Sequence, residues 1–408
     1  MTLRALNQSS QYCHVTLVAV VALVLLQACS PSYSYKEKAV PEPVKLSERL
    51  EALFTKTKLV CFGRYALEVP EEAQLIWGKI SIPDDVEVIV GTQKATKARI
   101  EQDIDKIKKN DRFAEIKYDG IGPTEGSWQV RYYENRFAKE DGALFFTTYV
   151  TRGDLTFILG DAVEGRDGSE ATTSFRQATL VNNLRLRTSD EAPDEPGFCV
   201  EHGFIADGLY ARQEMSSAGI YLPSLPDVTF SISSNKNAYA DTPPAEFEKS
   251  QRGELSLLAR IAGAKKDQGL SYPSRTVLRE GKRKVNHWYG EESLIRRKDG
   301  VHDFEWAFVG TPKDVANPSE FGVAMFTKVE HNKVGAAKAA SVTDDEAVAL
   351  WDKLLSGLKF RVKVPGAPDG SYFPHLPKPV IPADKPTGDK PAGPATATPT
   401  APTRPITP

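Results

Sequence analysis

Two stretches 138 residues apart are built alike. "LVCFGRYALEVP" carries Cys61 and "GFCVEHGFIADG" carries Cys199, each at the start of a strand-like run. Downstream, "DDVEVIV" (Asp84 to Val90) answers "PDVTFSI" (Pro226 to Ile232), and "LVNNLRLR" (Leu180 to Arg187) answers "LLSGLKFR" (Leu354 to Arg361). In the last pair leucine recurs at the first and fifth positions, a base at the sixth, an apolar residue at the seventh and arginine at the eighth. Three correspondences in one order mark a degenerate tandem duplication. The chain is thereby expected to fold as two domains of one plan.

Periodicity supplies that plan. After Ala95, Ile100, Ile104 and Ile107 recur at helical spacing, an amphipathic helix. "SWQVRYY", "ALFFTTYV" and "LTFILGD" then read as strands, separated by turns containing Asp141-Gly142 and Gly153-Asp154. A helix from about Ser169 leads to a closing strand at Leu184. The second copy repeats the order with a helix from Ala245 to Ala264, strands "VNHWYG" and "HDFEWAFVG", and a last helix opened by Thr343-Asp344-Asp345-Glu346. That tetrad fits a capping box. Each copy therefore predicts an α+β domain, an antiparallel sheet with helices on one face.

The expected organisation is a signal peptide (1–28), a tether linker (29–46), an N-terminal domain (47–187), an acidic, proline-bearing linker (188–197), a C-terminal domain (198–362) and a tail (363–408). From Pro365 onward the chain has 13 prolines in 44 residues, a composition that buries too little to offset its ordering entropy. The second copy runs 162 residues from cysteine to terminal arginine against 126 in the first, so its extra length is expected in loops.

At the N-terminus, Val15 to Ala28 is a 14-residue uncharged run preceded by a single charge, Arg4. A transmembrane helix needs about 20 apolar residues, so the pattern is that of a secretory signal. The run ends in "LVLLQACS", and Leu26, Gln27, Ala28 and Cys29 look like a bacterial lipobox, with Cys29 the lipid attachment site. By the sorting pattern that this resemblance implies, Ser30 rather than Asp after the cysteine favours outer-membrane retention facing the periplasm. Losing Arg4 with the signal leaves 51 basic against 54 acidic residues, a formal −3. That balance offers no electrostatic reason for a nucleic-acid partner. Of the four cysteines, Cys13 leaves with the signal and Cys29 is taken by lipid. Cys61 and Cys199 form a candidate disulfide in an oxidising compartment, with two buried thiols as the alternative.

Motifs of catalysis and cofactor binding are missing. The sequence has no G-x-S-x-G elbow, H-E-x-x-H, C-x-x-C or phosphate-cradling P-loop. S-x-x-K occurs at Ser233/Lys236 and Ser356/Lys359 without its companion K-T-G, which reads as chance. Strand alternation sets His302, Phe304 and Trp306 on one face and Asp303 and Glu305 on the other, which separates His302 from those two carboxylates. No catalytic residue, metal ligand, cofactor or small-molecule substrate is therefore expected. The basic runs Arg279 to Lys284 and Arg296 to Lys298, placed by this reading at hairpin ends beside Trp288 and Tyr289, combine arginine with aromatic side chains as binding hot spots do. Arg279, Lys282, Arg283, Trp288, Tyr289, Arg296 and Arg297 are the candidate partner surface.

The openings "VCFGRYALEVPEEAQL" and "FCVEHGFIADG", with "LPDVTFSIS" and the closing "LLSGLKFR", together resemble the two-domain immunity proteins that protect bacteria against type VI secretion lipase effectors, the group cognate to the fourth class of those lipases. The resemblance covers about residues 45 to 362 and leaves out the proline-rich tail. It implies a periplasmic inhibitor without activity of its own, whose partner is a secreted phospholipase gripped between the two domains, with the acyl anchor holding the inhibitor at the membrane the toxin attacks. A Cys61–Cys199 bond would then fix the roots of the two copies against each other. The alternatives are a non-catalytic envelope lipoprotein acting as an assembly or scaffold factor, and an enzyme with an unfamiliar site.

Overall fold

The computed structural model describes residues 44–163, 168–253, 255–328 and 339–376. Cys29, the signal segment and most of the proline-rich tail lie outside them. In chain order, α1 (Glu48–Leu53) precedes β1 (Thr57–Phe62), β2 (Tyr65–Pro70), β3 (Gln74–Ser81) and β4 (Val86–Val90). Then α2 (Gln93–Asn110) leads to β5 (Glu115–Ile121) and β6 (Ser127–Tyr133), α3 (Arg136–Glu140) to β7 (Phe145–Arg152) and β8 (Leu155–Ala162), and α4 (Glu170–Asn183) to β9 (Leu184–Leu186). The second half runs β10 (Gly197–Val200), β11 (Gly203–Ala206), β12 (Met215–Tyr221), β13 (Thr229–Asn235), α5 (Pro244–Gly253), α6 (Leu257–Gln268), β14 (Arg275–Val285), β15 (Trp288–Arg297), β16 (His302–Phe308), β17 (Glu320–Phe326), α7 (Asp344–Ser356) and β18 (Leu358–Phe360). The α+β class with antiparallel sheets follows the sequence expectation.

Two compact units interleave along the chain. One takes residues up to Leu53, Glu72–Gly78 and Ser217–Ser356; the other takes Phe54–Glu71, Lys79–Ser216 and residues from Gly357 on.

The second of these holds a five-stranded sheet of order β4-β8-β7-β6-β5. Alternation along the strands lets Val130, Tyr149 and Ile158 meet Ile100 of α2, with Ile104, Ile116 and Tyr132 around them. The helix is amphipathic for this reason. On the opposite face α4 is anchored by Arg176, which donates to Asp161 (2.7 Å), and by Gln177, which donates to the Gly160 carbonyl (3.0 Å). This sheet is thus covered on both faces, which accounts for the near-continuous apolar run of "LTFILG" in β8.

The same unit contains the point where the duplication becomes visible in space. Hairpin β1–β2 is completed by β18, and hairpin β10–β11 by β9. Leu358 stands opposite Leu67 and Phe360 opposite Tyr65; in the other copy Leu184 stands opposite Ile205 and Leu186 opposite Gly203. Each copy's last strand therefore completes the other copy's cysteine hairpin. The residues after those strands match too: Arg361 N–H donates to the Arg64 carbonyl and Arg187 N–H to the His202 carbonyl, both at 2.9 Å. The hairpins meet where Gly63 and Cys199 exchange backbone hydrogen bonds. Gly63 is needed there, because its φ is +52° and a Cβ would fall 2.7 Å from Ser216 Oγ. Cys61 and Cys199 are bonded across this junction, with Cα atoms 6.0 Å apart. The bond joins the two copies' hairpins as expected, and both hairpins belong to one compact unit.

The other unit is built on a seven-stranded sheet of order β14-β15-β16-β17-β13-β12-β3. His302, Phe304 and Trp306 are buried, while Asp303 and Glu305 on the opposite face are half-buried, as alternation predicts. On the buried face Trp351 of α7 packs edge-on against Phe230 and Phe304. The capping box forms, with Glu346 N–H donating to Thr343 Oγ1 and Thr343 N–H donating to Glu346. The helix expected over Ala245 to Ala264 is two helices. The first ends at Gly253 and the second starts after Ser256, whose hydroxyl accepts from Ala259 N–H and supplies a new cap.

Candidate partner-binding surface

The basic run Arg279 to Lys284 lies inside β14, with the turn at Asn286 and His287, so it is not a hairpin end. Strand alternation consequently splits it between two faces. Arg279 and Arg283 point inward, and both donate to Glu292 and Asp352. Trp351 Nε1 completes the cluster with a 3.1 Å bond to Glu292. Burial alone would raise the Asp352 carboxyl, but the two guanidinium groups outweigh it and hold it below its ordinary value. Trp288 is also buried, donating to the Ala316 carbonyl at 2.8 Å and lying edge-on to Phe321. Arg279 and Trp288 are thus core groups and belong to no accessible surface. Two paired arginines beneath a helix are a structural ion cluster.

The remaining candidates are accessible to different degrees. Lys282 and Tyr289 are exposed on the outer face of β14–β15, where the Lys284 ammonium lies 4.9 Å from the Tyr289 ring centroid. Arg297 is exposed and pairs with Asp303. Arg296 is half-buried and reaches Asp344 at 3.0 Å. What survives is two separate spots: Lys282, Lys284 and Tyr289 beside the β14–β15 turn, and Arg297 at the far end of β15, with Arg296 turned to the α7 side.

Residues that resembled catalytic groups are built into the fold. His302 is 2% exposed, and its ring nitrogens contact Thr327 Oγ1 and Asp344 Oδ1, both at 2.9 Å. Its carboxylate partner comes from α7, outside the strand in which Asp303 and Glu305 were set apart. Lys236 is buried while Ser233 is exposed, and Ser356 Oγ donates to the Lys353 carbonyl. Among the described residues no group of three or more His, Cys, Asp or Glu is placed to hold a metal, and no helix is long and apolar enough to cross a membrane.

Sequence reasoning missed a second buried ion cluster. Arg64 donates to Asp207 (2.6 Å) and Glu214 (2.7 Å), with its guanidinium carbon 4.4 Å from the Tyr210 ring centroid. Burial lowers Arg64, but Glu214 and Asp207 more than compensate, and its pKa is raised. The partners lie 143 and 150 residues away in sequence, so no local pattern announces them. The duplicated terminal arginines, read from the sequence only as a mark of duplication, both hold the 188–197 linker. Arg361 donates to the carbonyls of Pro193, Glu195 and Gly197, and Arg187 to those of Thr188 and Glu191.

Comparison with known proteins agrees with this duplicated architecture. Residues 58–188 match the N-terminal domain of Tle cognate immunity protein 4, and residues 191–363 match its C-terminal domain. Among solved structures, the apo immunity protein TplEi of the T6SS from Pseudomonas aeruginosa aligns with a TM-score of 0.58 at 23% identity, covering 75% of this chain and 98% of that one. The same protein complexed with "L" peptide gives 0.56 at 22%, covering 75% and 99%. The Tle4-Tli4 complex gives 0.58 at 22%, covering 75% and 98%. No curated protein matches the chain. At these identities the solved structures speak for the fold; the two family domains, matched in order over well over half the chain, place it in the Tle cognate immunity protein 4 family.

Proposed function

We propose that the chain is a lipid-anchored periplasmic immunity protein. Held on the outer membrane by acylated Cys29, it binds and inhibits a phospholipase effector of a type VI secretion system and catalyses nothing itself. The observation that carries this reading is the ordered match of both immunity-protein domains. It is supported by two structural neighbours, one solved with a peptide and one as the Tle4-Tli4 complex. The engagement of His302 and Lys236 within the fold is in keeping with a binding role.

An acyl anchor contributes ~0.8 kcal/mol per buried methylene, and two or more chains hold a protein stably on a bilayer. Confinement at that surface raises the inhibitor's effective concentration where a lipase acts. Both domains engage the effector, with Lys282, Tyr289, Arg296 and Arg297 among the contacts in the second.

The test is co-expression. A phospholipase effector from the same genome is directed to the periplasm of a sensitive bacterium, with and without this chain. Rescue together with a stable complex on a sizing column is expected. Death in both arms with both proteins present and no complex would remove that lipase as partner and favour a scaffold role. Cys29→Ser should release the chain from the membrane fraction.

A further inference from the structure

On the α2 side of the five-stranded sheet, the C-terminal half of α2 and strands β6 and β7 enclose an open cleft of about 410 Å³. Its floor is aromatic. Tyr132 stacks on Phe145 with ring centroids 5.7 Å apart, and Tyr149 lies alongside. Its rim is acidic, formed by Asp103, Asp111 and Glu134, with Lys106 as the cation of the lining.

The carboxylates are not equally engaged. Asp103 accepts from the Tyr149 hydroxyl (2.8 Å) and from Arg99 (2.9 Å), which is shared with Glu87. Asp111 accepts from the backbone N–H of Phe113, and Glu134 from the Asn135 amide, both uncharged donors. The field felt at the floor is accordingly negative. Burial raises the Tyr132 pKa, a hydrogen bond with Thr147 works against it, and the charges of Glu134, Asp84 and Asp103 add to the rise. The acidic side chains among the described residues are not gathered to hold a metal, and the cleft is far larger than an ion requires.

We propose that this cleft receives the cationic end of an arginine or lysine side chain from a protein partner. The half-buried ring of Tyr132 attracts a cation through the ring quadrupole, with the buried Tyr149 packed beneath it. Asp111 and Glu134 offer charge-assisted hydrogen bonds at its mouth. Partial enclosure strengthens both attractions relative to open water. The aliphatic stem of such a side chain has Ile107 to lie against. That the partner is a protein rests on the function proposed above; the preference of the cleft for a cation does not.

The experiment keeps those two apart. Chain carrying fluorine-labelled tyrosine is titrated at low salt with N-acetyl-arginine amide and with its uncharged isostere, N-acetyl-citrulline amide, and the Tyr132 and Tyr149 resonances are followed. A saturable shift with the arginine compound is expected, with none from the citrulline compound and loss of the shift in Asp111→Asn/Glu134→Gln of unchanged circular dichroism. No shift, an equal shift with citrulline, or an equal shift in the double variant would overturn the proposal. In a second arm the same variant should bind the phospholipase about tenfold more weakly. If the wild-type chain does not bind that lipase at all, that lipase is removed as partner and the arginine titration still decides the cleft.

Discussion

Glu292 is the residue on which the second half's ion cluster turns, because it accepts from Arg279, Arg283 and the Trp351 indole while fully buried. Replacing it with glutamine leaves two buried guanidinium groups facing Asp352 alone. Breaking a buried pair from one side costs about 3–5 kcal/mol, so Glu292→Gln should lower the urea midpoint steeply at neutral pH. Glu346 gives a pH-dependent counterpart. The Arg49 guanidinium, helped by Thr343 N–H and Ser47, holds its carboxyl down to about 2. A carboxyl depressed in the fold contributes stability above its unfolded value of about 4.3, and that contribution disappears as pH falls toward 2. Wild type should therefore exceed Glu346→Gln in urea midpoint at pH 6, and the gap should narrow below pH 4 and close only as pH falls through about 2. At the surface, Tyr289→Ala should leave the midpoint unchanged while weakening effector binding, read by calorimetry.

Among the elements, the paired cysteine hairpins explain why the duplication persists in such short motifs. A strand of three residues is too short to be stable by itself. β9 and β18 hold because each finds a hairpin edge, with an arginine just beyond it locking a turn carbonyl. The disulfide closes a loop of 138 residues between the hairpins. In the chain-entropy account a loop of this length is worth up to about 5 kcal/mol, with measured losses of about 2–5 kcal/mol on removing a native bond. Cys61→Ser/Cys199→Ser should lose stability in that range by urea denaturation, and reductant should produce the same loss in the wild type but none in the variant.

For the whole molecule, the exchange of last strands means that neither sequence half is self-sufficient. The segment 47–187 lacks β18 for its hairpin β1–β2, and its own β9 has no β11 to join. Expressed alone, this half should show poorly dispersed amide resonances for residues 57–70 and 184–187. Co-expression with 188–376 should restore dispersion and produce a complex on a sizing column. A half that is fully dispersed by itself would contradict the interlock.

The duplication, the α+β class, the period of α2, the faces of β16 and the capping box were all legible in the residues, because local spacing and hydrogen-bonding chemistry determine them. The cysteine pairing was legible as a candidate, and the family through its motifs. Which arginines face solvent was not. Arg279 and Lys282 belong to one basic run, and only the register of β14 on β15, with a bulge between Val277 and Arg279, turns the first into the core and the second outward. Nor did the sequence reveal that Arg64 would find Asp207 and Glu214, or that each closing strand would leave its own copy. Arg64 is 143 and 150 residues from its partners and β18 is far from β2 in sequence, while β9 reaches β11 across the linker; such contacts follow from which surfaces pack together, a property of the folded chain that no local pattern carries.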